Sequence, residues 1–120
     1  MKKVLYILCF GVFIGSAQEI KKTTEIANLV SEISYQDKMN NKVFLDSGNY
    51  KMILFAMRKD QILKPHSAPM STPLLILEGK AKVTIGAQAY FLEKGEMITL
   101  PKDIDHGVYP ISDVKFLLIK

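Results

Sequence analysis

From residue 35 onward, short apolar and β-branched runs alternate with clusters of turn residues. The predicted strands cover residues 42–46, 50–58, 73–77, 80–85, 89–93, 96–100, 106–111 and 114–119. Glycine, proline, asparagine or aspartate separates most of them, as is typical of hairpins. Eight short strands with no helix between them predict an all-β fold, an antiparallel sandwich or barrel.

The run at residues 50–58 is apolar at successive positions instead of alternating ones. Met52 and Leu54 would lie on one face of the strand, and Ile53 and Phe55 on the other. A strand that is apolar on both faces predicts a central position in a sheet whose outer face is covered by a helix or by another subunit.

One helical pattern precedes the strands. Ile26, Leu29, Val30 and Ile33 follow the i, i+3, i+4, i+7 spacing, and Thr23 or Thr24 is placed to cap it. The spacing predicts one short amphipathic helix over residues 25–33.

The first seventeen residues have a different composition. Two lysines precede an apolar run from Val4 to Ile14, and small residues follow this run up to Ala17. This is the layout of a secretory signal peptide. A membrane anchor would need about twenty apolar residues, and a lipoprotein cysteine would follow the apolar run, whereas Cys9 lies inside it. We expect residues 1–17 to be removed, so that a secreted or periplasmic form begins at Gln18 without a stable membrane anchor.

Charge and cysteine content exclude several classes of function. The chain of 120 residues has a formal net charge of +4, which falls to 14 − 12 = +2 without Lys2 and Lys3. Because Cys9 is the only cysteine, the exported form would have no disulfide, thiolate metal site or cysteine nucleophile. Lysines are scattered without interleaved aromatic residues, so no nucleic acid partner is expected.

Two spaced motifs lie in the β region. Asp60 is followed after five residues by His66, and then at fixed intervals by Ala68, Thr72 and Gly79. In the second motif, Gly95 is followed after five residues by Pro101 and then by His106. These spacings resemble the two motifs of small single-domain cupins.

The resemblance runs from about residue 43 to residue 120, and it implies a cupin double-stranded β-helix, or jelly-roll barrel, of the cupin-2 or RmlC-like type. It divides the chain into the signal peptide (1–17), a lead-in with the helix (18–42) and the barrel (43–120). In the family, two histidines and a glutamate of the first motif bind metal with the histidine of the second. His66 and His106 match ligand positions, whereas Ala68 and Thr72 replace the other histidine and the glutamate.

Because only two of the four family ligands are present, the resemblance implies at most a weakly bound divalent transition metal at His66 and His106. The leading prediction is therefore a small-molecule pocket formed by His66, His106, Thr72 and Tyr109. The first alternative is a metal-dependent oxygenase or isomerase acting on a small organic or sugar-like substrate. The second is a non-catalytic structural or interaction module. Apolar outer faces also predict a homodimer.

Overall fold

The computed structural model describes residues 26–120 and contains nine β-strands in this range. They are β1 (Asn40–Asp46), β2 (Lys51–Met57), β3 (Leu63–His66), β4 (Thr72–Glu78), β5 (Lys80–Ile85), β6 (Gln88–Glu93), β7 (Met97–Leu100), β8 (His106–Pro110) and β9 (Val114–Ile119). The all-β prediction is confirmed, and eight of the nine strands coincide with predicted runs. The predicted signal peptide lies outside the described residues and stays a prediction.

The strands form two antiparallel sheets that face each other. One sheet has the order β1-β2-β9-β4-β7 and the other has the order β3-β8-β5-β6. Alternate residues of each strand point between the sheets, where the fully buried side chains include Leu74, Val83 and Phe116. Phe116 stacks on Phe55 with ring centroids 4.8 Å apart. The core therefore occupies the space between the two sheets.

Strand β2 is central, as its apolar pattern predicts, because it pairs with β1 on one side and β9 on the other. Its outward residues Leu54 and Ala56 are completely buried. The cover is the chain segment before β1, whose Leu29 and Ile33 pack on this face.

That covering segment is not the predicted helix. Within residues 26–33 the chain makes two successive turns, closed by Ser31 N–H to Asn28 O at 3.0 Å and Glu32 N–H to Leu29 O at 3.2 Å. The Asn28 side chain also accepts a hydrogen bond from Val30 N–H at 3.1 Å. Such a bond from a side chain to the backbone competes with the hydrogen bonds of a helix. Ile26, which would lie on the apolar face of the helix, is fully exposed. The apolar spacing thus supports packing of turns on a sheet, without a helix in residues 26–33.

A polar cluster fastens this segment to the sheet. Lys115, only 8% exposed, donates from Nζ to Val30 O at 2.6 Å and lies 5.0 Å from the centre of the Tyr35 ring. The Tyr35 hydroxyl donates to Glu78 Oε2. Burial, followed by this hydrogen bond, raises the pKa of Tyr35 well above its usual value. The cluster keeps a lysine satisfied in an otherwise apolar layer.

Strand β3 is absent from the sequence-based prediction, which treats this region as a loop. It is four residues long, lies at the edge of its sheet and contains Pro65. A proline is tolerated there because an edge strand needs no N–H donor on its open side. In the described residues, no helix has the length and apolar character that crossing a membrane requires.

Candidate functional site

The two histidines of the chain lie directly opposite each other on neighbouring strands. His66 ends β3, His106 begins β8, and the two residues are paired in the antiparallel register. Their ring centroids are 4.7 Å apart with an interplanar angle of 63°. Residues forty positions apart in the sequence thus form one pair of imidazoles, as the motif spacing predicts.

A β-bulge in β3 turns the exposed His66 to the same face of the sheet as the buried His106. Leu63 pairs with Val108 and His66 with His106, so three steps along β3 match two steps along β8. In a regular strand, residues 63 and 66 would point to opposite faces. The extra residue restores His66 to the face of Leu63 and Val108, which is the core side.

Gly107 leaves space for this bulge. A Cβ at position 107 would lie 3.1 Å from Leu63 O and 3.2 Å from Pro65 N. These contacts are close, so a side chain here would press directly on the bulged backbone. The glycine that follows the second-motif histidine therefore helps to position the first-motif histidine.

Backbone carbonyls orient both rings in the same way. His66 Nδ1 lies 2.9 Å from Lys64 O, and His106 Nδ1 lies 3.3 Å from Ile104 O. A carbonyl can only accept, so each neutral ring carries its proton on Nδ1. The lone pair of each Nε2 then remains for another group.

The histidine pair lines a cavity of about 220 Å³ between the two sheets. Thr72, which is 3% exposed, lines the same cavity from the other sheet. The remaining lining residues are Ser67, Ala68, Pro69, Met70, Leu118 and Lys120. Three of the four residues predicted for the pocket are therefore brought together.

Tyr109 is not among the residues that line this cavity. It follows His106 at an odd offset on β8, so its side chain points to the opposite face of the strand. There it pairs with Lys82, whose Nζ lies 4.9 Å from the centre of the Tyr109 ring. The prediction of Tyr109 as a pocket residue is wrong for this reason of strand parity.

Lys120 lines the cavity although no sequence pattern predicts it there. It lies next to β9, and its backbone pairs with Lys51 through bonds of 2.6 and 3.0 Å. This pairing places a basic residue against the cavity. No motif marks it, because its position depends on the sheet order and not on local sequence.

The loop after β3 is tied to the turn before β8. Asp103 N–H donates to Ala68 O at 2.8 Å, and Asp103 holds a φ of 63°. Aspartate is one of the few residues other than glycine that adopt this conformation. The bond holds the two histidine-bearing loops together.

His106 is held in its neutral form. It is 5% exposed, and burial is the main cause that lowers its pKa, followed by the charge of His66. The hydrogen bond to Ile104 and the charge of Asp105 act in the opposite direction but do not compensate. At neutral pH, His106 therefore presents a lone pair and not a second proton.

This lowered pKa predicts a pH dependence of stability. Below the unfolded-state pKa of 6.5, the unfolded chain binds a proton that the folded His106 resists, so the free energy of unfolding falls as the pH falls. The loss should level off below the folded pKa. Urea unfolding measures the free energy of unfolding between pH 7.5 and 5. This free energy should fall more steeply with falling pH in the parent than in His106→Asn. An equal pH dependence in the two proteins would contradict the lowered pKa of His106.

A resident transition metal does not fit these residues. Among residues 26–120, no group of three or more histidine, cysteine, aspartate or glutamate side chains is placed to hold a metal ion. Ala68 and Thr72 line the cavity at the positions of the absent family ligands, and neither supplies an imidazole or a carboxylate. Two imidazoles alone fall short of the three or four ligands of a tight site.

Comparison with known proteins identifies the fold. No protein-family model matches the chain. No curated protein matches it either. Solved structures do, and among them is a cupin-2 conserved barrel domain protein from Leptotrichia buccalis, at 30% identity and a TM-score of 0.73, covering 78% of this chain and 46% of that one.

Two further structures cover most of both chains. A conserved protein of unknown function from Streptococcus pyogenes is 27% identical, with a TM-score of 0.73, over 80% of this chain and 85% of that one. An RmlC-like cupin from Desulfovibrio desulfuricans is 23% identical, with a TM-score of 0.71, over 80% and 94%. The fold is thus that of the double-stranded β-helix proteins. The solved structures that it resembles include small cupins of the cupin-2 and RmlC-like types, and the chain shares their fold, as its motifs predict.

Proposed function

We propose that the protein binds a small molecule in the cavity between the sheets and that the Nε2 atoms of His66 and His106 hold it. The observation that carries this proposal is the shared orientation of the two rings. Each Nδ1 is engaged by a carbonyl of its own strand or loop, and the rings are in contact at a centroid distance of 4.7 Å. Two fixed lone pairs beside a cavity make a recognition element that loses little entropy on binding.

The chemistry of the lining restricts the ligand class. A neutral imidazole Nε2 accepts a hydrogen bond, so the ligand presents donors such as hydroxyl or amide N–H groups to the histidines. Lys120 supplies a donor on the other side. The Thr72 hydroxyl donates to Met70 O at 3.5 Å, so its oxygen remains as an acceptor for the ligand. At about 220 Å³, the cavity is smaller than the 300–1,000 Å³ typical of drug-sized ligands. A small polyhydroxylated or amide-bearing molecule fits these requirements.

We also propose that this binding takes place outside the cytoplasm. The support is the layout of residues 1–17, with two lysines, an apolar run and a small-residue end. A secreted or periplasmic binding protein would meet small solutes from the surroundings of the cell.

Ring-nitrogen NMR tests the proposed binding directly. Since the chain has only two histidines, every imidazole signal reports on this cavity. We expect the neutral form of each free ring to carry its proton on Nδ1 and its lone pair on Nε2. Titration with glycerol, erythritol, glucose and acetamide should shift the Nε2 signals of both rings for at least one of these probes.

Matched variants establish where the probe binds. His66→Ala and His106→Ala should each weaken the binding of that probe at least tenfold, because each variant removes about one hydrogen bond between uncharged groups. Tyr109→Phe, on the opposite face of β8, should leave it unchanged. A probe that binds equally to all variants, or a cavity that binds none of the four probes, would argue against this function.

A metal-dependent cupin enzyme is the alternative, and one observation favours it. Metal-bound histidines usually donate their other ring nitrogen to a backbone carbonyl or carboxylate, and His66 and His106 both do so. Stoichiometric metal retained through purification would favour this alternative over small-molecule binding. A cavity filled by side chains in solution would instead favour the structural or interaction module.

A further inference from the structure

The charged and titratable side chains that line the cavity beside the histidine pair are all basic. They belong to His66, His106 and Lys120, and the lining contributed by residues 26–120 contains no aspartate or glutamate. Asp105 precedes His106 in the sequence and its charge acts on that ring, but Asp105 is not among the lining residues. A cleft lined by one sign of charge concentrates ligands of the opposite sign.

Strand direction places the side chain of Lys120 on the inner face of its sheet. The pairing of β2 with β9 continues beyond Ile119, because Lys51 and Lys120 exchange two backbone hydrogen bonds. Lys120 therefore shares a face with Leu118, since alternate residues of a strand point to the same side. Leu118 belongs to the core between the sheets and lines the cavity. The exposed Lys120 thus extends its aliphatic stem along the core face and keeps its ammonium in water at the cavity opening.

The neighbours of Lys120 across the sheet supply no negative charge. On one side, Lys51 lies directly opposite and points to the same face. On the other side the neighbour is Thr72, because Leu74 of β4 pairs with Leu118. Within residues 26–120, Lys120 forms no ion pair. Like charges placed opposite each other are unfavourable, so an anion beside Lys120 would relieve this pair of lysines.

The acid in this row of the sheet is too far away to neutralise Lys120. Asp46 pairs with Lys51 on the side away from β9, and its carboxylate accepts a hydrogen bond from Gly48 N–H at 3.0 Å. Two strand spacings, about 10 Å, separate the backbones of Asp46 and Lys120. The charge of Lys120 acts on the histidine pair instead. Burial is the largest cause that lowers the pKa of His106, and the charge of Lys120 is a smaller cause in the same direction.

We propose that the small molecule held by His66 and His106 is a hydroxy acid, with a hydroxyl group at the imidazoles and its carboxylate at Lys120. This assignment rests on the small-molecule binding proposed above and adds a negative charge to the ligand. A hydroxyl group donates to an unprotonated Nε2, and a carboxylate accepts from an ammonium. The second of these bonds is charge-assisted, so it is stronger than a hydrogen bond between neutral groups.

The charge and the size of the cavity restrict the hydroxy acid further. Lys120 supplies one positive charge, which matches a single carboxylate better than a phosphate ester with a charge of about −2. The cavity of about 220 Å³ has apolar lining from Ala68, Pro69, Met70 and Leu118. This lining accommodates a short carbon chain between the two polar ends. The expected ligand class is therefore a small monocarboxylic acid that carries hydroxyl groups.

Pairs of probes that differ in charge test this inference. Glycerate and erythronate have the carbon numbers of glycerol and erythritol, with a carboxylate in place of one terminal CH₂OH group. Titrations at pH 7.5 and low salt, followed by the ring-nitrogen signals of the histidines, give the affinity of each probe. For at least one pair, we expect the acid to bind at least about fivefold more tightly than the polyol. Sodium chloride at about 0.5 M should reduce this preference, because it screens a charge at the cavity opening.

A matched pair of lysine variants locates the carboxylate. Lys120→Met keeps the aliphatic stem and removes the charge, so it should reduce the affinity for the acid to that for the polyol. Lys94→Met is the control, since it changes the net charge equally in the turn between β6 and β7. This turn precedes Met97, whereas the cavity residue Thr72 pairs with Leu100 at the other end of β7. Lys94→Met should therefore keep the preference for the acid.

The possible outcomes separate this inference from the binding function on which it rests. Equal affinities for acid and polyol in the parent would overturn the hydroxy acid and leave the binding of neutral molecules in place. A preference for the acid that persists in Lys120→Met, or acid binding that leaves both histidine signals unchanged, would also overturn it. Failure of all four probes to bind would contradict both proposals. Binding of an acid alone, lost in Lys120→Met and kept in Lys94→Met, would support the hydroxy acid most directly.

Discussion

Replacement of Gly79 with valine is expected to remove most of the stability of the fold. Gly79 is the single residue between β4 and β5, and its φ is 81°. A Cβ there would overlap with the backbone oxygen of Asp113 and would lie 2.9 Å from Ser112 Oγ. The strained φ alone costs a branched residue about 1–3 kcal/mol, and the overlap with backbone forces the 112–113 turn to move. We expect a total loss of at least about 4 kcal/mol, out of the 5–15 kcal/mol typical of a domain.

Gly95→Val is the matched control. Gly95 also has a positive φ, 86°, but a Cβ at this position would meet no heavy atom of the described residues within 4 Å. Only the conformational cost of about 1–3 kcal/mol should remain. Urea unfolding of both variants measures the difference in stability. Equal losses of unfolding free energy would show that the close approach of Gly79 to Asp113 adds nothing to the cost of a side chain.

The double variant Ala68→His, Thr72→Glu is expected to create a metal site. The parent offers two imidazoles and should bind zinc weakly, and this weak binding should disappear in His66→Ala, His106→Ala. Ala68 and Thr72 line the same cavity as both histidines. Adding an imidazole and a carboxylate at these positions gives the three or four ligands that a tight site requires. We expect zinc affinity to rise at least a hundredfold.

Calorimetric titration and thermal unfolding check this expectation together. Tight zinc binding should raise the midpoint of thermal unfolding of the double variant as the zinc excess increases, because the unfolded chain has no preformed site. Without zinc, the double variant should be less stable than the parent, since Thr72 is 3% exposed and a glutamate there would be buried. The double variant Ala68→Ser, Thr72→Gln is the control, because it adds polar groups without strong metal ligands. Its zinc affinity should equal that of the parent. For Ala68→His, Thr72→Glu, zinc affinity equal to that of the parent would mean that the four side chains do not converge.

Much of the fold is readable from the sequence because turn chemistry and side-chain period are local properties. Glycine and apolar alternation locate eight strands, and motif spacing brings His66 and His106 together. The parity that excludes Tyr109 from the cavity is readable as well, since an odd offset along a regular strand changes the face. The prediction that Tyr109 lines the pocket rests on its proximity to His106 in the sequence. It does not take account of the direction of the Tyr109 side chain.

Other features depend on contacts that no local pattern records. The bulge that brings His66 to the face of His106 results from the pairing of β3 with β8 and from the space at Gly107. The apolar spacing of residues 26–33 fits a helix, yet the same residues pack as turns because the outer face of β2 and β9 supplies the apolar contacts. Strand β3 escapes sequence-based prediction because its lysine, proline and histidine are typical of loops.

The position of β9 determines when the protein can fold. Although β9 follows all other strands in the sequence, it lies between β2 and β4 in the middle of its sheet. Until residues 114–119 have left the ribosome, β2 and β4 have no shared neighbour, and Lys115 cannot fasten the segment before β1. Pairing between such distant residues makes folding slow, in the millisecond-to-second range. A nascent chain of this design therefore cannot complete its five-stranded sheet before its last strand has been synthesised.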